Sequence, residues 1–556
     1  RVGDSTRIIV RLHDLEDPGN PVTSSLSGPV GRAPVDLALG AILELLPRLV
    51  GAGPRTDVVR LRERHPVAVV RWLQGEVEYR ASRMRAARAL FEDAVGLDSV
   101  LAPAALRGAL AASWTNSDRA APLAGLAQRH AGLLSPRERL LATALERYLG
   151  GEATAAIRAV RRALATDATW ADAWLLAGEI QLHLLPGEGL DSTALLGVPA
   201  PRIWPLEQMA RADFEQAVRL DSLFTPPLVH LAEISLRAGD ATEADRLVAR
   251  LRRAGAEPAT VRRLELAQRC VRDPASVDWA AEARADRLPV FQVATQLAGT
   301  PRLDGRRCAR EAFAAILAAD SALGAEDWGS LVLLQGMLVA EGRPTEAVAM
   351  VDSAVVHGLP AALGLFVVDE VAGVDVGERG RQFILQLGTD YEARGAASLW
   401  LVAIWQAAHG GRAEVEEVAR VLAARAQRTG ARRDRLMAEV TAGYATLARG
   451  DTTAAIAAFE ALAPTAIHQE VEGSLWESLA TERMVLARLL LARGEWARAH
   501  RVASVFDHPG VFVHQLFLPA SLAVRAAARG LGDNVLAAAA RQRLDGLAAS
   551  SPPGRD

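Results

Sequence analysis

The chain has 556 residues, half of them hydrophobic but only 5% aromatic, and a net charge of −3. That length exceeds one compact core and implies several domains or an extended repeat array, while an Ala- and Leu-rich, aromatic-poor mix favours helices over strands. The near-neutral charge excludes the strongly basic footprint of a nucleic-acid binder, and all 63 basic residues are Arg, which excludes P-loop, Schiff-base and kinase ATP-anchoring lysines.

The chain opens at Arg1, without Met, and is expected to be a piece of a longer protein. Arg7 to Leu12 is β-branched and reads as a strand, Asp17-Pro18-Gly19-Asn20 as a turn, and Pro21 to Leu26 as the returning strand. Pro34 to Val50 reads as an amphipathic helix carrying Leu37, Ile42, Leu45, Leu46 and Leu49. Two strands and a helix do not make a stable domain, so residues 1–50 are expected to be the C-terminal remnant of an α/β domain. Gly51-Ala52-Gly53-Pro54 opens a linker over 51–64.

From His65 onward a register emerges. With Ser82 as the turn between two paired helices, Ala87 falls at +5, Phe91 at +9 and Asp98 at +16. Gly151 leads in the same way to Ala156, Val160 and Asp167; Pro205 to Ala210, Phe214 and Asp221; Asp304 to Ala309, Phe313 and Asp320. Partial copies follow Gly239 (Ala244, Val248), Gly342 (Ala347, Val351), Gly450 (Ala455, Phe459) and Gly494 (Ala499). The +5 and +9 residues share one helical face: a small residue admits the paired helix and a large one fills the space beyond. Glycine suits the left-handed cap that ends a helix. Asp98-Ser99 before Pro103 and Asp221-Ser222 before Pro226 are expected to cap the next helix.

This is the register of a tetratricopeptide repeat, and the expected fold is an all-α solenoid of helical hairpins. Residues 65–270 hold the well-registered half, and 271–556 a degenerate second half. A non-repeating helical bundle is the competing reading.

Several strings then carry a resemblance. Gly3 to Ile8, Ser27-Gly28-Pro29-Val30, Leu134 to Arg139, Ala173 to Glu179, Phe214 to Asp221 and Leu489 to Gly494 are similar to segments of bacterial proteins in which a TolB-like α/β domain precedes tetratricopeptide repeats. In that family the pair lies C-terminal to a eukaryotic-like Ser/Thr kinase or a transcriptional regulator. The resemblance implies a regulatory or scaffold role. It implies no kinase activity for these residues, because the glycine-rich loop, its lysine and the catalytic-loop pattern are all missing.

The search for chemistry yields little. Cys270 and Cys308 form no CxxC motif; free, packed thiols are expected, with a disulfide between them as the alternative. The eleven His include no HExxH and no His pair at i+3 or i+4; His500, His508 and His514 are the tightest group, and capping or surface roles are expected for them. Ser27 lacks a GxSxG elbow. Arg161-Arg162, Arg252-Arg253 and Arg432-Arg433 read as solvent-facing, although Arg can grip a partner's carboxylate. No catalytic, cofactor or metal site is expected. The stretches 397–410 and 508–524 lack charge but are too polar or too short to span a membrane.

The candidate site is therefore a partner-binding groove on the concave surface, with Trp72, Gln74, Glu78, Trp114, Trp174 and Glu179 as its residues. The expected ligand is a protein or peptide. Self-association that positions attached domains is the alternative, and the bacterial cytoplasm or the soluble part of a membrane-anchored protein the expected location.

Overall fold

The computed structural model describes residues 4–12, 22–29, 37, 41, 64–115, 117–184, 205–300, 303–319, 322–462, 474–507, 512–528 and 535–550. The expected helix over Pro34–Val50 and the linker fall almost wholly outside them. The expected hairpin is present: β1 (Ser5–Leu12) and β2 (Val22–Pro29) pair antiparallel, with Ser5 opposite Pro29 and Leu12 opposite Val22.

The rest is helical. The first hairpins are α1 (Pro66–Arg80) with α2 (Met84–Leu97), α3 (Ala102–Trp114) with α4 (Ala120–Arg129), α5 (Pro136–Leu149) with α6 (Ala153–Thr166), and α7 (Ala171–Glu179) with α8 (Pro205–Leu220). A π-helical turn, Ile180–Leu184, extends α7. Then come α9 (Pro226–Ala238), α10 (Ala241–Arg253), α11 (Pro258–Arg272), α12 (Trp279–Ala285), α13 (Arg287–Ala298) and α14 (Leu303–Leu317). The second half holds α15 (Trp328–Ala340), α16 (Pro344–Val356), α17 (Leu365–Val371), α18 (Arg379–Leu387), α19 (Ala396–His409), α20 (Arg412–Thr429), α21 (Arg432–Ala448) and α22 (Thr452–Ala461). It ends with α23 (Ala480–Ala492), α24 (Trp496–Ser504), α25 (Leu518–Ala527) and α26 (Val535–Ser550). The chain is thus a tetratricopeptide-type helical solenoid.

The register explains the packing. Ala87, Phe91, Ala156, Val160, Ala210, Phe214, Ala309 and Phe313 are all fully buried. Gly151, Gly239, Gly342, Gly450 and Gly494 turn between paired helices at φ between 73° and 82°, and Ser82 takes the same left-handed place at 59°. A size rule accompanies the turn. In two copies, seven positions before the turn, glycine faces a +9 Phe: a Cβ on Gly75 would stand 2.5 Å from the Phe91 ring, and one on Gly443 2.8 Å from Phe459. Where the +9 residue is Val160 or Val248, the same position holds buried Ala144 or Ala232. In these four copies helix approach follows the summed size of two side chains.

Two expectations are corrected. Asp98 and Asp221 do not cap the following helix; their Oδ1 atoms accept from Val100 and Leu223 N–H two residues on, bending the connection, while Leu101 and Thr225 precede the helices. The Asp side chain competes for the nearest amide, and here the turn wins. Cys270 and Cys308 are not free: they form a disulfide, Cα to Cα 6.0 Å, that ties α11 to α14. The sequence separation of 38 conceals that these helices pack together.

The solenoid curls tightly. The first hairpin meets the turn between α8 and α9: Thr225 N–H donates to the Arg80 carbonyl at 2.9 Å, the Ser82 and Thr225 hydroxyls bond at 2.7 Å, and Arg80 pairs with Asp221. Arg83 reaches the Gly255 carbonyl at 2.7 Å. In the second half the short 3₁₀ segment Phe512–Phe517 lies on α15, and Gln515 donates to the Ala298 carbonyl at 2.8 Å.

Candidate functional site

Tight curling fills the inner face. Trp72 is buried and donates to Glu76 at 3.1 Å. Glu76 accepts from Arg107 at 2.8 Å, and Arg107 also grips Asp172 at 2.5 and 3.0 Å. Burial pushes Asp172 up, but Arg107 outweighs it and holds the carboxyl below its usual range; for Glu76 burial prevails and the carboxyl is raised.

Deeper in, Glu179 and His230 approach to 2.5 Å. His230 Nδ1 lies 2.9 Å from Glu233, which Arg263 binds at 2.6 Å. The His230 ring stacks on Phe214 at 4.9 Å, with Trp114 4.8 Å away on another side. Burial disfavours the imidazolium, yet Glu179 and Glu233 raise its pKa to about 10. Glu233 is held low despite burial, by Arg263 and His230.

Of the six groove residues, Trp72 and Glu179 are thus buried in the interior. Trp114 and Glu179 meet around His230, while Trp174 is half-buried, its indole N–H on the Ala168 carbonyl at 2.9 Å and the Arg161 guanidinium 5.7 Å from its ring. Gln74 is exposed and accepts from Arg71, and Glu78 pairs with Arg83; neither joins the others. Sequence patterning marks an aromatic as important without saying whether the curvature leaves it open.

An open groove lies elsewhere. About 900 Å³ is bounded by α5 and α6, with Thr143, Arg147, Ala155, Arg158, Arg161 and Arg162 on its walls. Arg147 pairs with Glu152 at 2.6 Å and Arg161 with Asp213 at 2.8 Å. Arg158 and Arg162 are exposed and pair with no carboxylate among the described residues. The Arg161-Arg162 doublet was visible in the sequence; its convergence with Arg158 and Arg147 needed the α5–α6 hairpin.

The second half buries a different polar set. Gln335 donates to both oxygens of Asp369 at 2.8 and 2.7 Å. Burial raises this carboxyl to about 8. Glu482 accepts from the Trp400 indole at 2.7 Å and the Tyr444 hydroxyl at 3.2 Å, and burial raises it to about 7. No described helix is long and apolar enough to cross a membrane.

No known protein family and no curated protein matches the chain. Among solved structures it is similar to the crystal structure of the P58(IPK) TPR domain, at 12% identity over 75% of this chain and 98% of that one, with a TM-score of 0.20. It is also similar to the structure of Naa15/Naa10 bound to HypK-THB, at 13% identity over 93% of this chain and 66% of that one, with a TM-score of 0.20. Overlap this loose carries no weight, so the fold rests on the buried register and its turns.

Proposed function

We propose that this chain is a non-catalytic protein-interaction scaffold whose partner presents an acidic segment to the arginine groove between α5 and α6. The observation that carries the reading is the pair of exposed arginines, Arg158 and Arg162, unmatched beside Arg147 and Arg161. The inner face is neutralised within the chain, so a partner gains little there. The groove instead offers guanidinium donors suited to carboxylates, with the rim of Trp174 beside them. Attachment to a larger bacterial signalling protein, a kinase or a regulator, rests on the TolB-like and repeat resemblance. The Cys270–Cys308 bond favours an oxidising compartment over the reducing cytoplasm.

The test is fluorescence anisotropy with a labelled Asp/Glu-rich peptide and its Lys-rich counterpart. The acidic peptide is expected to bind with salt-sensitive affinity, and Arg158→Glu with Arg162→Glu to weaken it by about tenfold or more. Equal affinity in the double variant, or equal binding of the basic peptide, would overturn the proposal.

A further inference from the structure

We propose that Glu179, His183 and His230 form a binding site for a divalent transition-metal ion of the zinc class. One ligand atom from each of the three lies within 4.8 Å of the others, at the junction of α7, its π-helical turn and α9. Glu179 and His183 stand one turn apart, so both side chains reach the same side, and the π-turn sets where the second one points. His230 arrives from α9 across the hairpin stack.

Three observations beyond proximity support a built site. First, Glu179 and His230 are only 6% and 7% exposed, and Glu179 Oε1 and His230 Nε2 face each other without the alignment of a hydrogen bond. Secondly, Glu233 holds the far nitrogen of His230 and is itself fixed by Arg263, the outer-shell carboxylate that orients a ligating imidazole. Thirdly, Phe214 and Trp114 pack on the imidazole and give the site an apolar wall.

The ligand set of two imidazoles and one carboxylate suits zinc and leaves a fourth position for water. Tetrahedral coordination needs neighbouring donors about 3.3 Å apart at usual zinc bond lengths. Glu179 and His230, at 2.5 Å, would open by about 0.8 Å. His183 Nε2 lies 3.8 Å from the other Glu179 carboxylate oxygen, Oε2, so the carboxylate would also turn to offer one oxygen to the metal that both imidazoles bind. Both are side-chain movements.

The experiment uses the full chain, stripped with a chelator, incubated with zinc and desalted, with metal counted by mass spectrometry. One zinc per chain is expected, falling to background in His183→Ala and Glu179→Gln. His183→Ala is the decisive variant, because its side chain sits at the edge of the cluster and the Glu179–His230–Glu233 contacts survive without it. Cobalt provides a readout that alters no ligand: its binding is expected to give the visible absorption of a low-coordinate site and to quench Trp114, with the quench lost in Trp114→Phe. Failure of the wild-type chain to retain zinc would overturn the proposal. So would retention unchanged in both ligand variants, or cobalt binding that leaves Trp114 fluorescence untouched. The arginine groove shares none of these ligands, so the result leaves the partner reading independent.

Discussion

The second half of the solenoid buries acids in a way that the first does not rely on. In the first, Glu76, Asp172, Glu179 and Glu233 are each met by Arg or His. In the second, Glu477 is still met by Arg432, but Asp369 and Glu482 are met by neutral donors, Gln335, Trp400 and Tyr444. Removing a charge from water costs several kcal/mol unless a counter-charge or a proton answers it. The first half answers with counter-charges across helices, and the second adds protons on Asp369 and Glu482. One repeat architecture thus supports two electrostatic solutions, and the two respond differently to mutation and pH.

The largest effect is expected from breaking the first solution. Arg107→Met leaves Glu76 and Asp172 facing each other in the interior, with a loss of about 3–5 kcal/mol in denaturant unfolding. A loss below about 1 kcal/mol would mean water reaches the inner face. Reducing the disulfide should come next. It closes a loop of 38 residues between α11 and α14, and chain entropy alone gives about 4 kcal/mol. Thermal unfolding with and without reductant reads this directly.

The fold was largely legible in the sequence. Ala87 with Phe91 and Gly450 with Phe459 declare the hairpin because small, large and turn residues occupy fixed offsets along one chain segment. Gly75 and Gly443, the glycines that the Phe rings demand, were equally available as a signal. The site was not legible, since curvature depends on sums of small helix-packing angles that no single residue encodes. Trp72 and Glu179 look the same in an open groove and a closed one. The spacing of Glu179 and His183 is a local signal; His230 comes 47 residues later and joins them only through stacking.

The second electrostatic solution gives the third prediction. Asp369 keeps its proton in the folded chain up to about pH 8, whereas the unfolded chain loses it near 3.8. Between those values the folded state binds more protons, so stability falls as pH rises through the window. Asp369→Asn should flatten that slope and add on the order of 1–3 kcal/mol at pH 8. Urea unfolding at pH 5 and pH 8 separates the outcomes; a slope unchanged by the substitution would show that Asp369 is ionised and solvated. The smallest effect tests the size rule: Gly443→Ala should cost about 1–3 kcal/mol by crowding Phe459, and adding Phe459→Val should recover part of it. Simple additivity of the two changes would break the rule.

The functional comparison is between a filled inner face and an open arginine groove, and hydrogen exchange with an acidic peptide bound tests it most directly. Protection is expected over residues 143–165, with α3, α7 and α9 unchanged. Protection centred on α3, α7 and α9, or none over 143–165, would contradict it.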